Sequence, residues 1–122
     1  MNNVSVLVVE DDDYMRDILS DLLENAGAKV FRATNGKEAI TYLEREKIDL
    51  VLSDVQMPMM GGVELLKLIR EKNKEIPVVL LVSGHSDLSE ESAIALGAIG
   101  LLHKPYNVKT LFERLHSILP QS

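Results

Sequence analysis

Four consecutive carboxylates, Glu10 to Asp13, follow a short apolar run in the stretch VSVLVVEDDDYM at residues 4–15. Adjacent like charges repel one another, and partial burial of such a pair raises the pKa values of its carboxyl groups. A divalent cation relieves this repulsion, because hard cations such as Mg²⁺ bind carboxylate oxygens. A solvated acidic turn that caps the next helix is the simpler interpretation. The rest of the chain has to decide between a cation site and an acidic turn.

Residues capable of chemistry also follow three later apolar runs. Asp54 comes after the run at 48–53, Ser83 and Gly84 come after the run at 78–82, and Lys104 and Pro105 come after the run at 100–103. If these runs are parallel strands of one sheet, their carboxyl ends meet at the same edge of that sheet. Three carboxylates, a hydroxyl and an ammonium group would then converge at that edge.

The converging side chains suit the transfer of a phosphoryl group. Asp11 and Asp54 can ligate Mg²⁺ directly, and Glu10 can hold a metal-bound water. An Asp carboxylate is itself a competent nucleophile toward phosphorus. In-line transfer needs cations that neutralise the equatorial phosphoryl oxygens, and Lys104 supplies an ammonium group for this purpose. Ser83 adds a hydroxyl donor, and the glycine after it adds a backbone N–H with no side chain in the way.

Alternating strand and helix patterns would bring these residues together. Short apolar, β-branched runs predict strands at 4–9, 29–33, 48–53, 78–82 and 100–103. Helical spacing of apolar residues predicts a helix after each strand, with inward faces at Val63, Leu66 and Ile69 on the third and at Val108, Leu111, Phe112, Leu115 and Leu119 on the last. Parallel strands need crossover connections, and helices must cover both sheet faces. We therefore expect an open, doubly wound α/β sandwich with a five-stranded parallel sheet.

The composition fits a single domain over residues 1–122. The net charge of −6 argues against an intrinsic nucleic-acid footprint, which needs a basic face. The absence of cysteine excludes disulfides and cysteine-bound zinc. No apolar run approaches the roughly 20 residues of a membrane span, and no charged-then-apolar leader is present. We expect a cytoplasmic protein that does not itself bind nucleic acid or a membrane.

Four short motifs occur in the order and spacing of one known family: VVEDD at 8–12, SDVQMPMMGG at 53–62, VSG at 82–84 and KPY at 104–106. Together they resemble the response-regulator receiver domain of two-component signal transduction, over essentially the whole chain. The resemblance implies a flavodoxin-like (βα)5 fold with strand order 2-1-3-4-5. It also implies a signalling switch that phosphorylates and dephosphorylates itself but turns over no external substrate.

The resemblance assigns the metal ligands and the phosphoacceptor. Asp54 would accept a phosphoryl group from a phosphohistidine of a histidine kinase or a histidine phosphotransfer protein. Mg²⁺, or Mn²⁺ in its place, would bind Asp11, Asp54 and the backbone carbonyl of Gln56. Glu10 would lie outside the direct ligands and hold a metal-bound water.

The resemblance also implies how phosphorylation acts on the rest of the domain. Ser83 would turn toward the phosphoryl oxygens, Lys104 would pair with them, and the Lys104–Pro105 peptide bond would be cis. The fourth helix, the fifth strand and the fifth helix would form the surface that controls an output partner or domain. The output, the cognate kinase and a phosphorylation-dependent homodimer are left open by the sequence.

Three residues depart from the commonest family pattern. Gly61 stands where an Asp usually precedes the loop glycine, which predicts a more flexible loop. Ser83 replaces the more frequent Thr but keeps the hydroxyl. Leu101 stands where an aromatic side chain often reports the switch by changing rotamer, so that aromatic coupling cannot operate here in its usual form.

Two further residues are predicted to tune the lifetime of the acyl phosphate. Gln56 lies two residues beyond Asp54, and His85 lies two residues beyond Ser83. Both positions border the path by which water would attack the phosphoryl group.

Three other functions compete with the switch. A phosphatase of the haloacid-dehalogenase type would use Asp11 as the nucleophile of a D-x-D motif, but Met15 departs from that motif and the chain has no room for a cap domain. A flavodoxin-like nucleotide-binding module lacks both glycine-rich phosphate motifs. A degenerate receiver is the third alternative, although every chemical residue is present.

Overall fold

The computed structural model describes residues 2–84, 87–105 and 107–118, in which strands and helices alternate along the chain. The strands are β1 (Ser5–Val9), β2 (Lys29–Ala33), β3 (Leu50–Asp54), β4 (Val78–Ser83) and β5 (Gly100–His103). The helices are α1 (Asp13–Asn25), α2 (Gly36–Arg45), α3 (Gly62–Lys72), α4 (Glu90–Ala95) and α5 (Val108–Ile118). Each predicted strand is present, with its ends within two residues of the predicted bounds. The alternating α/β architecture is therefore confirmed.

The five strands form one parallel sheet in the order β2-β1-β3-β4-β5. The chain places β2 on one side of β1 and then adds β3, β4 and β5 in turn on the other side. The direction in which strands are added therefore reverses between β1 and β3. The register pairs Val9 of β1 with Ser53 of β3, and Asp54 with Val82 of β4. The residues directly after β1 therefore lie beside the end of β3, at the crevice where doubly wound sheets bind ligands.

Side chains of β1 alternate between two apolar clusters, one on each face of the sheet. Val6 and Val8 pack in a cluster with residues of α1 and α5, among them Leu19, Leu23, Leu111 and Leu115. Leu7 and Val9 pack in a cluster with residues of α2, α3 and α4, among them Ala39, Leu65, Leu66, Ile69 and Ala93. Burial of each large apolar side chain stabilises the fold by about 1.5–3 kcal/mol. Both faces of the sheet are covered, which holds the strand ends at fixed positions.

Two predicted helix faces differ from the observed ones. On α3, Leu66 and Ile69 are buried as predicted, but Leu65 is fully buried where Val63 was expected and Val63 is only half-buried. Because α3 packs against both the sheet and the neighbouring α2, its buried stripe is wider than the three-residue pattern indicated.

On α5, Leu111 and Leu115 are buried, but the predicted inward residue Val108 is 47% exposed. Val108 is the first residue of α5 and lies in the turn that enters the helix. Phe112 is half-buried against the cluster that contains α1, and Leu119 lies outside the described residues.

Polar side chains cap the starts of four helices. The side chains of Asp12, Asn35, Ser89 and Asn107 accept hydrogen bonds from the backbone N–H groups of Met15, Glu38, Ser92 and Thr110, respectively. Each bond satisfies an N–H that the first helical turn leaves without an intrahelical partner. In the part of the chain that the structure describes, no helix combines the length and the apolar character needed to cross a bilayer.

Candidate functional site

Three carboxylates meet at the carboxyl ends of β1 and β3. One carboxylate oxygen each from Glu10, Asp11 and Asp54 lies within 4.8 Å of the others. Glu10 is buried, Asp54 is partly buried and Asp11 is exposed. All three donors are hard oxygen atoms, the ligand type that Mg²⁺ prefers, and the exposed side leaves room for the waters that Mg²⁺ retains. The cluster can therefore hold a divalent cation, and the donor set fits Mg²⁺.

Lys104 brings a positive charge to two of these carboxylates. Its Nζ lies 3.1 Å from Glu10 Oε1 and 3.2 Å from Asp54 Oδ2. The backbone N–H of Lys104 donates to the carbonyl of Ser83 at 2.7 Å, which ties the end of β5 to the end of β4. The Lys104–Pro105 peptide bond is cis, as the resemblance implied.

Burial and charge perturb both members of this ion pair. Burial raises the pKa of Glu10 to about 7, although the hydrogen bonds from Lys104 and from the Asp12 N–H act in the opposite direction. Burial alone would lower the pKa of Lys104, but its hydrogen bonds to Glu10 and Asp54 outweigh that effect and raise the pKa. Lys104 therefore stays positively charged beside Asp54 near neutral pH.

The Glu10 pKa predicts how stability depends on pH. Because the folded protein holds the Glu10 proton up to about pH 7 while the reference carboxyl loses it near 4.5, the free energy of unfolding falls as pH rises through that interval. The free energy of unfolding of Glu10→Gln, taken relative to that of wild type, should therefore rise by on the order of 1–3 kcal/mol from pH 5 to pH 8. Urea unfolding of both proteins with a chelator present measures this difference. If the difference in unfolding free energy between Glu10→Gln and wild type is the same at pH 5 and at pH 8, the prediction is wrong.

The loop between β3 and α3 orients the Asp54 carboxylate. The backbone N–H of Gln56 donates to Asp54 Oδ1 at 3.2 Å, while Lys104 binds the other carboxylate oxygen. The N–H of Gly62 donates to the carbonyl of Val55 at 3.0 Å and closes the loop. A side chain on Gly61 would meet that same carbonyl at 2.6 Å. Gly61 therefore lets its backbone approach the Val55 carbonyl closely. The sequence predicted a more flexible loop at Gly61 but did not predict this close contact.

Two residues that were not identified from the sequence support the site. Arg16 in the first turn of α1 donates from Nη1 to the carbonyl of Glu10 at 2.9 Å. A Cβ on Gly62, the first residue of α3, would meet the carbonyl oxygen of Asp54 at 2.3 Å. The sequence signal for Arg16 is its position as the first basic residue after four acids. The sequence gives no separate signal for the close approach at Gly62, because the atom that Gly62 approaches, the Asp54 carbonyl oxygen, belongs to the backbone.

The remaining candidate residues have separate positions. Ser83 is buried at the end of β4, and the glycine after it is exposed. Leu101 is buried in the cluster on the α3 and α4 side of the sheet. Asp12 caps α1 and Asp13 pairs with Arg16, so these two acids form the acidic turn rather than the three-carboxylate cluster. The predicted position of His85 lies outside the described residues.

The site residues fall within a known sequence family. The profile of the Response regulator receiver domain family matches residues 6–116. The chain is 41% identical over 117 residues to the Transcriptional regulatory protein CpxR homolog of Haemophilus influenzae, covering 96% of this chain and 51% of that protein. It is 31% identical over 121 residues to Sporulation initiation phosphotransferase F of Bacillus subtilis, covering 98% and 97% of the two chains. The chain spans about half the length of the CpxR relatives that it matches.

Solved structures show the same fold. The chemotaxis response regulator CheY4 of Vibrio cholerae has a TM-score of 0.86 and 34% identity, covering 95% of this chain and 98% of the other. The response regulator TrrA of Thermotoga maritima, solved in complex with Mg²⁺–BeF, has a TM-score of 0.85 and 28% identity, covering 95% and 99% of the two chains.

The family match includes every strand-end residue from Glu10 to Lys104. It displaces the alternatives of a phosphatase with Asp11 as nucleophile and of a nucleotide-binding module. The five-stranded order agrees with this family's fold. The chain therefore belongs to the response regulator receiver domain family of two-component systems, as a signalling switch rather than a turnover enzyme, with an acidic pocket of Glu10, Asp11 and Asp54.

Proposed function

We propose that Asp54 accepts a phosphoryl group from a phosphohistidine of a histidine kinase or a histidine phosphotransfer protein. The observation that carries this proposal is the position of Lys104, whose Nζ lies 3.2 Å from Asp54 Oδ2 beside the three-carboxylate cluster. A nucleophilic carboxylate, a cation for the phosphoryl oxygens and oxygen donors for Mg²⁺ are the parts that phosphoryl transfer requires.

The transfer exchanges one bond to phosphorus for another. An Asp54 carboxylate oxygen forms the new P–O bond as the P–N bond of phosphohistidine breaks, and the bonding electron pair returns to the imidazole nitrogen. Lys104 offsets negative charge on the phosphoryl oxygens, and the hydroxyl of Ser83 donates to one of them. The backbone N–H of Gly84 is a further donor, since no side chain of its own shields it.

Magnesium fits the acidic pocket as the cofactor, with Mn²⁺ as a substitute. Asp11, Asp54 and the backbone carbonyl of Gln56 would hold the ion, and Glu10 would hold one of its waters. When bound, the ion neutralises charge on the transferring phosphoryl group. The relative TrrA was solved with Mg²⁺–BeF, which supports this choice of metal.

The output of the switch is proposed for the surface formed by α4, β5 and α5. Phosphorylation adds charge and acceptor oxygens at Asp54, and these bias a two-state loop and the surface coupled to it. We place this chemistry in the cytoplasm, where histidine kinases present their phosphohistidine.

Intact mass after incubation with acetyl phosphate tests the proposal. Wild type should gain a single labile phosphoryl group in the presence of Mg²⁺ and none in its absence. The absence of an adduct under both conditions would overturn the proposal and leave a degenerate receiver. Hydrolysis of a phosphate ester that is lost in Asp11→Asn but kept in Asp54→Asn would instead indicate a phosphatase.

Gln56 and His85 are predicted to tune the lifetime of the phosphorylated form. The exposed side chain of Gln56 begins two residues beyond Asp54, beside the path by which water attacks. Substitution of Gln56 or His85 by alanine should change the rate at which the adduct decays. Intact mass followed over time after removal of acetyl phosphate measures that rate. Unchanged decay in both variants would remove these residues from the attack path.

A further inference from the structure

An ion pair crosses the edge strand β5 and joins it to two helices. Glu90, the first residue of α4, accepts a hydrogen bond at Oε2 from Arg114 Nη2 of α5 at 2.9 Å. The same oxygen accepts a second bond from the backbone N–H of Leu101 in β5 at 3.0 Å. We call this set of contacts, Glu90 with Arg114 and the Leu101 N–H, the Glu90 latch.

Gly100 makes the Glu90 latch possible. A Cβ at this position would lie 1.9 Å from Arg114 Nη2 and 3.1 Å from Glu90 Oε2. The guanidinium group therefore lies directly against the backbone of β5, in space that any other residue would fill. The contact depends on a glycine at the first position of the strand.

The Glu90 latch differs from an ordinary surface ion pair. The Glu90 and Arg114 side chains are 43% and 34% exposed, and pairs of this exposure contribute little stability by themselves. The carboxylate, however, also binds a main-chain donor of the edge strand. The hydrogen bond from Leu101, followed by the bond from Arg114, lowers the pKa of Glu90, so the carboxylate stays ionised. The latch therefore fixes the position of the first turn of α4 relative to both β5 and α5.

The opposite end of α4 is held separately. Arg70 of α3 donates from Nε to the carbonyl of Gly97 at 2.9 Å and from Nη2 to the carbonyl of Pro77 at 2.9 Å. These bonds anchor the chain just after α4 to α3 and to the start of β4. The first turn of α4 is therefore the end whose position the Glu90 latch controls.

The chain connects this first turn to the candidate phosphorylation site. Ser83 ends β4, and six residues, 84–89, separate it from Glu90. Ser89 caps α4, and Leu88 packs against the apolar cluster beneath it. The shift of Ser83 toward a phosphoryl group on Asp54 that the resemblance implies would therefore act on the first turn of α4 over a separation of only six residues. Leu101 itself has no aromatic ring that could report the shift.

We propose that the Glu90 latch stabilises the unphosphorylated arrangement of α4 and opens when Asp54 is phosphorylated. This inference rests on the proposed function. It assigns the coupling between the acidic pocket and the α4–β5–α5 surface to Glu90 and Arg114. Because coupling between two sites is reciprocal, an opened latch must also raise the affinity of the pocket for a phosphoryl group or its analogue.

Calorimetric titration with beryllofluoride in the presence of Mg²⁺ tests this coupling. Glu90→Gln and Arg114→Gln should each bind the analogue about threefold to fivefold more tightly than wild type, a change of the size expected for a partly exposed ion pair. The double variant should bind no more tightly than either single variant, because both remove the same contact. Glu91→Gln is the matched control, since Glu91 is an exposed acid in the same helical turn and should leave the affinity unchanged.

Hydrogen exchange of the Leu101 amide supplies a second, direct measurement. This N–H should be protected in wild type and should exchange faster when beryllofluoride binds, whereas in Glu90→Ala, which removes the acceptor, it should exchange fast in both states. Unchanged affinities in both single variants, or a Leu101 amide that stays protected in the bound state, would overturn the proposal. Failure of wild type to bind beryllofluoride at all would instead contradict the proposed phosphoryl transfer.

Discussion

Asp54→Asn should abolish the Mg²⁺-dependent phosphoryl adduct that wild type forms with acetyl phosphate. The amide has no anionic oxygen to attack phosphorus, and it also removes one of the three proposed metal ligands. Asparagine has nearly the same shape as aspartate, and its amide oxygen can still accept from either the Gln56 N–H or Lys104, so the fold should remain intact. Intact mass spectrometry of the two proteins under identical conditions measures the adduct, and circular dichroism checks the fold.

Asp13→Asn is the matched control for this experiment. Asp13 belongs to the same acidic stretch, but it pairs with Arg16 and its side chain is 85% exposed. The Asp13→Asn variant should therefore form the phosphoryl adduct at the wild-type level. An adduct of undiminished yield on Asp54→Asn would show that another group is the acceptor, and an equal loss in Asp13→Asn would show that the overall acidity of the turn matters instead.

Gly62→Ala should destabilise the fold by about 1–3 kcal/mol, the usual cost of forcing an extra methyl group into a packed position. The new Cβ would lie 2.3 Å from the carbonyl oxygen of Asp54 and 3.1 Å from Ser53 Oγ. The first of these is a backbone atom of the central strand β3, so it cannot rotate away as a flexible side chain can. Either α3 or the end of β3 must shift. Urea unfolding measures the stability, and the adduct yield measures the displacement of Asp54.

Gly84→Ala provides the comparison for Gly62→Ala. Its Cβ would meet the Lys104 side chain at 3.6 Å, which is ordinary van der Waals contact, and the position is exposed. We expect a change in stability within about 0.5 kcal/mol for this substitution, as for most surface positions. Equal losses in the two variants would show that the close approach at Gly62 is not the cause.

The sequence by itself determined the order of the elements and the composition of the pocket. Runs of β-branched and aliphatic residues predicted the five strands, because strands buried on both faces read as continuous apolar stretches. Parallel strands bring their carboxyl ends to one edge, and this predicted that Glu10, Asp11 and Asp54 lie together. Lys104 followed by the same argument. These conclusions depend on local pattern and on the geometry of a parallel sheet, and both can be read along the chain.

The tertiary structure alone decided which further residues contact the pocket and which residues join α4, β5 and α5. Leu65, rather than Val63, fills the core beneath α3, because the packing of α3 against its neighbours sets its buried face. Gly62 approaches the carbonyl of Asp54, and Glu90 binds Arg114 over Gly100. Each of these contacts depends on the positions of whole elements relative to one another. No spacing within one helix or strand encodes such distances, since they arise only when separate parts of the chain pack together.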